Sequence, residues 1–269
     1  MEATASGARF NPPAEIRLHT VHAIADTQNI ASMIVDPDGK GLKDYWNKAA
    51  FALLGGAILH CLIEVRRKEN RTATLSDLGL MLADPEKENA ILFQEMLNSE
   101  QAIVLQEFLG ASKEESLSVQ RFIASSAREM LNKADNELSG VVFTAVANLA
   151  LYRDLIVAAN TSECDFRIDD LMNYEAPVSL YLVIRPSDID RLRPLIRLIL
   201  NIILRRLTED MEFADGRSVE NYKYHLLLMM DEFTSLGKLE IFERSLAFMA
   251  GFGLKAYFIV QDLTQLHAA

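Results

Sequence analysis

Cysteine is nearly missing from this sequence, with only Cys61 and Cys164 in 269 residues. Two thiols cannot frame a chain of this length with disulfides, and neither stands at ligand spacing from any of the five histidines, so a reducing compartment is expected. Glycine and proline are sparse, 12 and 7, which excludes collagen-like and low-complexity chains. Basic residues are outnumbered by acidic ones, 27 against 38, for a formal net charge of −11. A free-standing nucleic-acid binder needs clustered Lys and Arg to neutralise phosphate, so at most one local face is left for DNA contact. No apolar run reaches the roughly 20 residues that cross a bilayer as a helix. The longest, Ala49 to Ile63, carries His60 and reads as a buried helix. The start of the chain lacks a basic region followed by an apolar stretch and a cleavage site, so no signal peptide is expected and the chain reads as soluble. What remains is ordinary globular composition, 50% hydrophobic and 24% charged, enough for one large domain or two small ones.

The sequence changes character near residue 175. Before it, apolar residues recur at spacings of three and four, which predicts amphipathic helices over 16–33, 44–68, 76–83, 86–98, 100–109, 114–133 and 136–159. Asp36-Pro37-Asp38-Gly39 and Asp84-Pro85 punctuate them as turn formers. Ser76 or Asp77, and Ser112 or Ser116, are candidate caps, because their oxygens can accept orphan amide protons. After it, Val178 to Ile184, His225 to Met230 and Lys255 to Val260 have strand length, and Ser187 to Leu207 and Leu239 to Ala250 have helical periodicity. Apolar strands alternating with helices indicate a parallel sheet covered on both faces. The fold class expected is therefore α/β joined to a helical half. The acidic segment Glu209 to Tyr222, containing Asp215-Gly216, reads as the one long loop, and there is no internal repeat.

The sharpest local feature is Leu226-Leu227-Leu228-Met229-Met230-Asp231-Glu232, a buried-strand run that ends in two carboxylates. Ligands of open α/β sheets gather at the carboxyl ends of parallel strands. In a P-loop nucleotidase the first acid holds the Mg²⁺ that bridges the phosphates, and the second polarises the attacking water. Gln261, ending Tyr257-Phe258-Ile259-Val260, is placed to sense a terminal phosphate from a neighbouring strand. The bland reading is that strands often end at polar loops. No stretch matches G-x-x-x-x-G-K-[ST], the loop that cradles the phosphates, and Asp38-Gly39-Lys40-Gly41 is only a turn with a lysine.

The stretch Leu228 to Leu239, with Ala250-Gly251-Phe252-Gly253-Leu254-Lys255 and Ile259-Val260-Gln261-Asp262-Leu263-Thr264-Gln265-Leu266 after it, resembles the TraG/TrsK-type coupling proteins of conjugative and type IV secretion systems. Arg9-Phe10-Asn11-Pro12, Tyr45-Trp46, Pro177 to Ile184 and Asp190-Arg191-Leu192-Arg193-Pro194-Leu195 extend the resemblance to nearly the whole chain, most tightly from about 160 onward. It implies a membrane-anchored homo-hexameric ATPase at the cytoplasmic face of the bacterial inner membrane. In such a protein a RecA-like P-loop NTPase motor carries an inserted all-α domain and recruits relaxase-bound single-stranded DNA or protein substrates to the secretion channel. On that division residues 1–15 end the first motor segment, 16–170 form the inserted domain, and 171–269 form the second part of the nucleotide-binding domain. Carried over by position, Asp231 matches the Mg²⁺-ligating Walker B acid, Glu232 the catalytic glutamate and Gln261 the glutamine of the following motif, with ATP and Mg²⁺ as cofactors. The family's transmembrane hairpin and Walker A loop lie upstream of Arg9-Phe10-Asn11-Pro12, and its last motor strands lie beyond Gln265-Leu266. An incomplete motor is the expectation for this chain. The alternative is a non-enzymatic helical adaptor that recognises secretion substrates.

Other residues carry plainer expectations. Arg185, Arg191, Arg193, Arg197, Arg205 and Arg206 form the basic cluster, readable as an interface or DNA-facing patch but more simply as a salt-bridged helix face. Arg244 fits a surface role better than a trans-acting finger. Tyr45 and Trp46 are expected in a core rather than on a peptide-docking platform, and His19, His22 and His60 are expected to be structural. The acidic tilt of the helical half suits basic tails of secretion substrates, or solubility alone. Because no phosphate cradle is present in these 269 residues, isothermal titration of MgATP into this chain is expected to show no stoichiometric binding. A stoichiometric isotherm would overturn that expectation.

Overall fold

The computed structural model describes residues 7–209, 212–214, 217–219, 222–231, 233–237, 240–260 and 262. Their contacts divide the chain into two compact units. One takes the chain up to Asp36 together with Lys40–Asp165, and the other takes Pro37–Gly39 together with the chain from Phe166 on.

The first unit is helical. After a 3₁₀ turn at Pro12–Glu15 come α1 (Ala23–Val35), α2 (Tyr45–Glu69), α3 (Leu75–Leu82), α4 (Asn89–Asn98), α5 (Gln101–Leu109), α6 (Lys113–Leu131), α7 (Asp135–Leu149) and α8 (Leu155–Asn160). At its centre is α2, with α1, α6 and α7 packed on it and α4 and α5 packed on α6. By length and composition α2 could span a membrane, yet 72% of its most apolar window is buried inside the protein, as the reading of Ala49 to Ile63 expected. Asp44 starts it by accepting from the Asn47 N–H at 2.8 Å, and Asn70 ends it in the left-handed region at φ 54°. Arg66, Arg67 and Lys68 in its last turn face the negative end of the helix dipole.

Close approach sets the α2–α6 crossing. A Cβ on Gly56 would stand 2.5 Å from the Ser126 Cβ and Oγ, and one on Gly55 3.3 Å from the Phe122 ring. The space thus freed lets the Ser126 hydroxyl donate to the Ala52 carbonyl of α2 at 2.8 Å. Beside this crossing His60 is buried, its Nδ1 3.3 Å from Gln101 Nε2. Burial pushes its imidazole pKa down to about 4.

Helix ends differ from the sequence expectation where side chains compete for the backbone. Residues 17–22 form turns rather than the first part of a 16–33 helix, because the Thr20 hydroxyl donates to the Arg17 carbonyl at 3.0 Å and accepts from the His22 N–H at 3.2 Å. The cap of α3 is Thr74 rather than Ser76 or Asp77; Thr74 and Asp77 close a capping box. Ser112 does cap α6, in a second capping box with Glu115. The expected 136–159 helix breaks at 150–154, where Asp154 accepts from the Ile156 and Val157 N–H groups at 3.0 Å each and restarts the chain as α8.

The unit's beginning and end are held together. Asp165 N–H donates to the Arg9 carbonyl at 3.0 Å and Phe10 N–H to the Asn160 carbonyl at 2.9 Å. The Arg9 guanidinium grips Asp165 with Nε at 3.2 Å and Nη2 at 2.9 Å and reaches Glu163 at 2.8 Å. Arg9 holds the Asp165 carboxyl below the usual carboxylate range.

The second unit contains α9 (Asp170–Asn173), α10 (Ile189–Leu207), β1 (Glu212–Ala214), β2 (Arg217–Val219), β3 (Leu226–Met230), α11 (Glu240–Ser245) and β4 (Leu254–Phe258). Strands β1 and β2 pair antiparallel, Glu212 opposite Val219, so the segment read as a loop carries a short hairpin; Asp215-Gly216 lies outside the described residues. Strands β3 and β4 pair in parallel, from Leu226 opposite Leu254 to Met230 opposite Phe258. This is a partial α/β fold. Its core joins Leu200 and Leu204 of α10 to Met230, Leu236, Phe242, Met249 and Leu254. Val178 to Ile184 is not a strand: it runs without regular structure, with Tyr181 and Val183 81% and 83% exposed. An apolar run becomes a strand only where a ladder partner takes its backbone groups, and among the described residues β3 and β4 pair only with each other.

Two stability measurements test this account. Gly56→Ala is expected to cost about 1–3 kcal/mol through overpacking, although alanine is better than glycine in a helix by about 1 kcal/mol. In urea denaturation, adding Ser126→Gly should recover part of that loss with a coupling of about 1 kcal/mol; strict additivity would refute the close-packing account. For His60 the folded pKa lies below the ordinary 6.5, so the unfolded state takes up the proton first and stability falls as pH drops from about 6.5 to about 4, by about 3 kcal/mol. His60→Gln should lose correspondingly less over that range, and parallel curves for the two proteins would contradict this.

Candidate functional site

The site expected from the sequence stands at the carboxyl edge of β3 and β4. Leu226, Leu228 and Met230 of β3, with Leu254 and Phe258 of β4, turn toward the core. Leu227, Met229 and Tyr257 point the other way and are 53%, 64% and 57% exposed. The ladder continues past the strands: the Ile259 N–H donates to the Met230 carbonyl at 2.9 Å, and the Phe233 N–H donates to the Ile259 carbonyl at 3.2 Å. Between these two bonds the chain turns at Asp231, which is exposed. Glu232 and Gln261 lie outside the described residues, so the structure brings the two strand ends to one edge and describes one of the three expected site residues there.

The turn that begins at Phe233 is firmly held. Phe233 opens a 3₁₀ turn, Phe233–Leu236, and its ring packs 4.4 Å from Phe258 and 6.1 Å from Phe242, centroid to centroid. The turn closes with the Gly237 N–H donating to the Thr234 carbonyl at 3.1 Å, and Gly237 adopts φ 69°, a conformation that favours glycine. Arg197 of α10, only 3% exposed, donates from Nη1 to the Leu236 carbonyl at 2.6 Å and from Nε to the Pro37 carbonyl. Sequence reasoning placed Arg197 in a surface cluster; its position within the apolar run Leu195 to Leu204 was the signal that it is buried. Arg191, Arg193 and Arg206 follow the plainer, salt-bridged expectation, and Arg205 bonds to a neighbour on its own helix. Arg191 pairs with Asp188 at 3.3 Å, Arg193 with Asp190, Arg205 donates to Asn201 at 2.8 Å, and Arg206 lies 3.9 Å from Glu209. The side chain of Arg244 is outside the described residues.

Tyr45 and Trp46 are not in a core. They are 49% and 44% exposed, because Gly140 of α7 lets the indole lie on the helix surface and the Tyr45 hydroxyl reaches Glu137 and Lys133. Tyr45 and Lys133 together hold the Glu137 carboxyl below its usual range.

One exposed carboxylate at a strand end is the kind of protein ligation Mg²⁺ accepts when waters and phosphates complete its octahedron. Asp231 fits that role, while no segment of the sequence matches the loop that would hold the phosphates.

Comparison with known proteins gives this edge a context. The chain is 47% identical over 263 residues to the conjugal transfer protein TraG of Escherichia coli, a match covering 98% of this chain and 39% of that protein. It is 26% identical over 261 residues to the protein VirD4 of Rhizobium rhizogenes, covering 96% of this chain and 34% of that protein. It thus spans well under half the length of these relatives. Among solved structures, the bacterial conjugative coupling protein TrwBdeltaN70, in its unbound monoclinic form, aligns with a TM-score of 0.61 at 18% identity, over 99% of this chain and 51% of that one. The family described as type IV secretory system conjugative DNA transfer matches residues 1–269, and the chain belongs to it.

Proposed function

We propose that this chain is part of a conjugative coupling protein that recruits DNA–protein or protein substrates to a secretion channel and energises their transfer by ATP hydrolysis. The observation that carries this reading is the exposed carboxylate of Asp231 at the carboxyl edge of a parallel strand pair, in a chain of this family. Asp231 is the Mg²⁺ ligand, Glu232 the group that orients and deprotonates the attacking water, and Gln261 the residue that senses the terminal phosphate. ATP with Mg²⁺ supplies the phosphoryl group that is transferred to water. The chain's own contribution is to anchor the turn that follows Asp231, through the Phe233 ring and the gripped Leu236 carbonyl.

Two features support a RecA-like motor interrupted by an all-α insertion. Early in the helical unit Arg9 and Phe10 bond to residues 160–165 near its end, as suits an inserted domain, whose entry and exit lie close together. The β3–β4 sheet has one apolar face exposed, and parallel sheets are covered on both faces, so it suits a larger sheet than these two strands. A relaxase or protein cargo, single-stranded DNA, channel proteins and a homo-hexamer at the inner membrane belong to the same proposal.

The test uses a protein extended to the length of the TraG relatives. Glu232→Gln is expected to lower MgATP turnover by about 10²–10⁴-fold, the range for losing a general base, while nucleotide binding persists; Asp231→Asn should abolish the Mg²⁺ dependence. Wild-type turnover in both variants would remove the site from this edge.

A further inference from the structure

We propose that Arg197 is a positioning residue for the acid-bearing turn, clamping it to the Pro37–Gly39 turn so that the two move as one piece. The inference rests on the assignment of Asp231 and Glu232 as the acids of the nucleotide site.

The guanidinium is buried at 3% exposure, and two of its nitrogens are committed to backbone carbonyls from segments far apart in sequence: Pro37 and Leu236. Leu236 ends the 3₁₀ turn that begins two residues after Asp231. Phe233 pins the start of that turn between Phe258 and Phe242, so Arg197 fixes the end that aromatic packing leaves open. Gly237 then passes the guanidinium closely enough that a Cβ would stand 3.5 Å from Nη1.

The other partner is equally prepared. Asp36 closes its own turn, its carboxylate accepting from the Lys40 N–H at 3.0 Å and the Gly41 N–H at 2.6 Å, and Gly39 sits at φ 70°. The Pro37 carbonyl is therefore presented by a preformed loop. Pro37–Gly39 belongs by contact to the second unit, while the chain on either side of it belongs to the helical unit. Arg197 links the acid-bearing turn to the Pro37 carbonyl of the Pro37–Gly39 turn. Arginine suits this task where lysine does not, because its planar fork holds donors in two fixed directions at once, while an ammonium is a single point.

A residue that only stabilised the fold would change the amount of active protein, leaving kcat per folded site intact. A positioning residue lowers kcat itself, because small displacements of reacting groups cost up to about 100-fold. In the full-length protein, Arg197→Gln is expected to lower kcat by about 10–100-fold with KM for MgATP within about twofold, and Arg197→Lys to fall between it and wild type. Amide exchange over residues 36–41 should respond to MgATP in wild type and not in Arg197→Gln. A folded Arg197→Gln with wild-type kcat, beside an inactive Asp231→Asn, overturns the positioning role and leaves the site assignment standing. Wild-type turnover in Asp231→Asn removes both. Should Arg197→Gln fail to fold, Asp36→Ala decides, since it loosens only the 37–39 turn: lowered kcat at constant KM supports the clamp, and unchanged kcat overturns it.

Discussion

Parallel strands cannot be joined by a tight hairpin, and the geometry of the second unit follows from that restriction. The chain leaves β3 at its carboxyl end, passes through Phe233–Leu236, α11 and the turn at Met249–Phe252, and re-enters at Leu254. Both carboxyl ends therefore meet at one edge, where Met230, Phe233 and Ile259 share hydrogen bonds. The same crossover carries Leu236, Phe242 and Met249, which cover one face of the sheet. Pairing, face and edge are three results of one connection. An antiparallel pair would have placed the end of β4 at the opposite edge from Asp231, and residues 259 and 260 with it.

The helical unit answers to a different restriction, the volume available around α2. With Gly55 and Gly56 facing α6, the helices approach until a serine hydroxyl reaches a backbone carbonyl of the neighbouring helix. Closure at Arg9 and Asp165 has another character. The ion pairs there are substantially exposed, Arg9 at 40% and Asp165 at 39%, and exposed pairs contribute little energy. The backbone bonds Asp165 to Arg9 and Phe10 to Asn160, with Phe10 and Asn11 buried, do more to hold the two ends of the unit in register. Arg9-Phe10-Asn11-Pro12 is thus a structural block, tying the early part of the helical unit to residues 160–165 near its end.

Most of the helices were legible because their signals are local. The span Tyr45–Glu69 announces itself by an apolar run, and α6 by Ser112 with Glu115 three residues on. The misses are local competitions that periodicity does not register: Thr20 taking the backbone of residues 17–22, and Asp154 restarting a helix that the apolar spacing carries through. Asp231 was legible for a different reason, since an acid directly after Leu226 to Met230 must stand where the strand leaves the sheet. Arg197 was legible only through its place in the apolar run Leu195 to Leu204, because the same letter in the same helix serves surface pairing at Arg191 and Arg193. Which arginine is buried depends on where helix α10 meets the sheet, a tertiary fact. Val178 to Ile184 failed as a strand for the corresponding reason, since strand formation belongs to the pair and not to the segment.

That failure and the exposed sheet face share one cause. A half-buried strand needs apolar residues only at alternate positions, yet β3 reads Leu-Leu-Leu-Met-Met, apolar at every one. Such a strand is written for burial on both faces, while the crossover and α10 cover only one. Leaving Leu227, Met229 and Tyr257 more than half exposed forgoes roughly 25 cal/mol for each Å² of apolar surface, and a two-stranded sheet has little stability of its own to spare. Surface charge would have served better had these positions evolved to meet water. The composition of β3 is therefore that of a strand covered on both faces, and the two-stranded sheet leaves one of those faces to solvent.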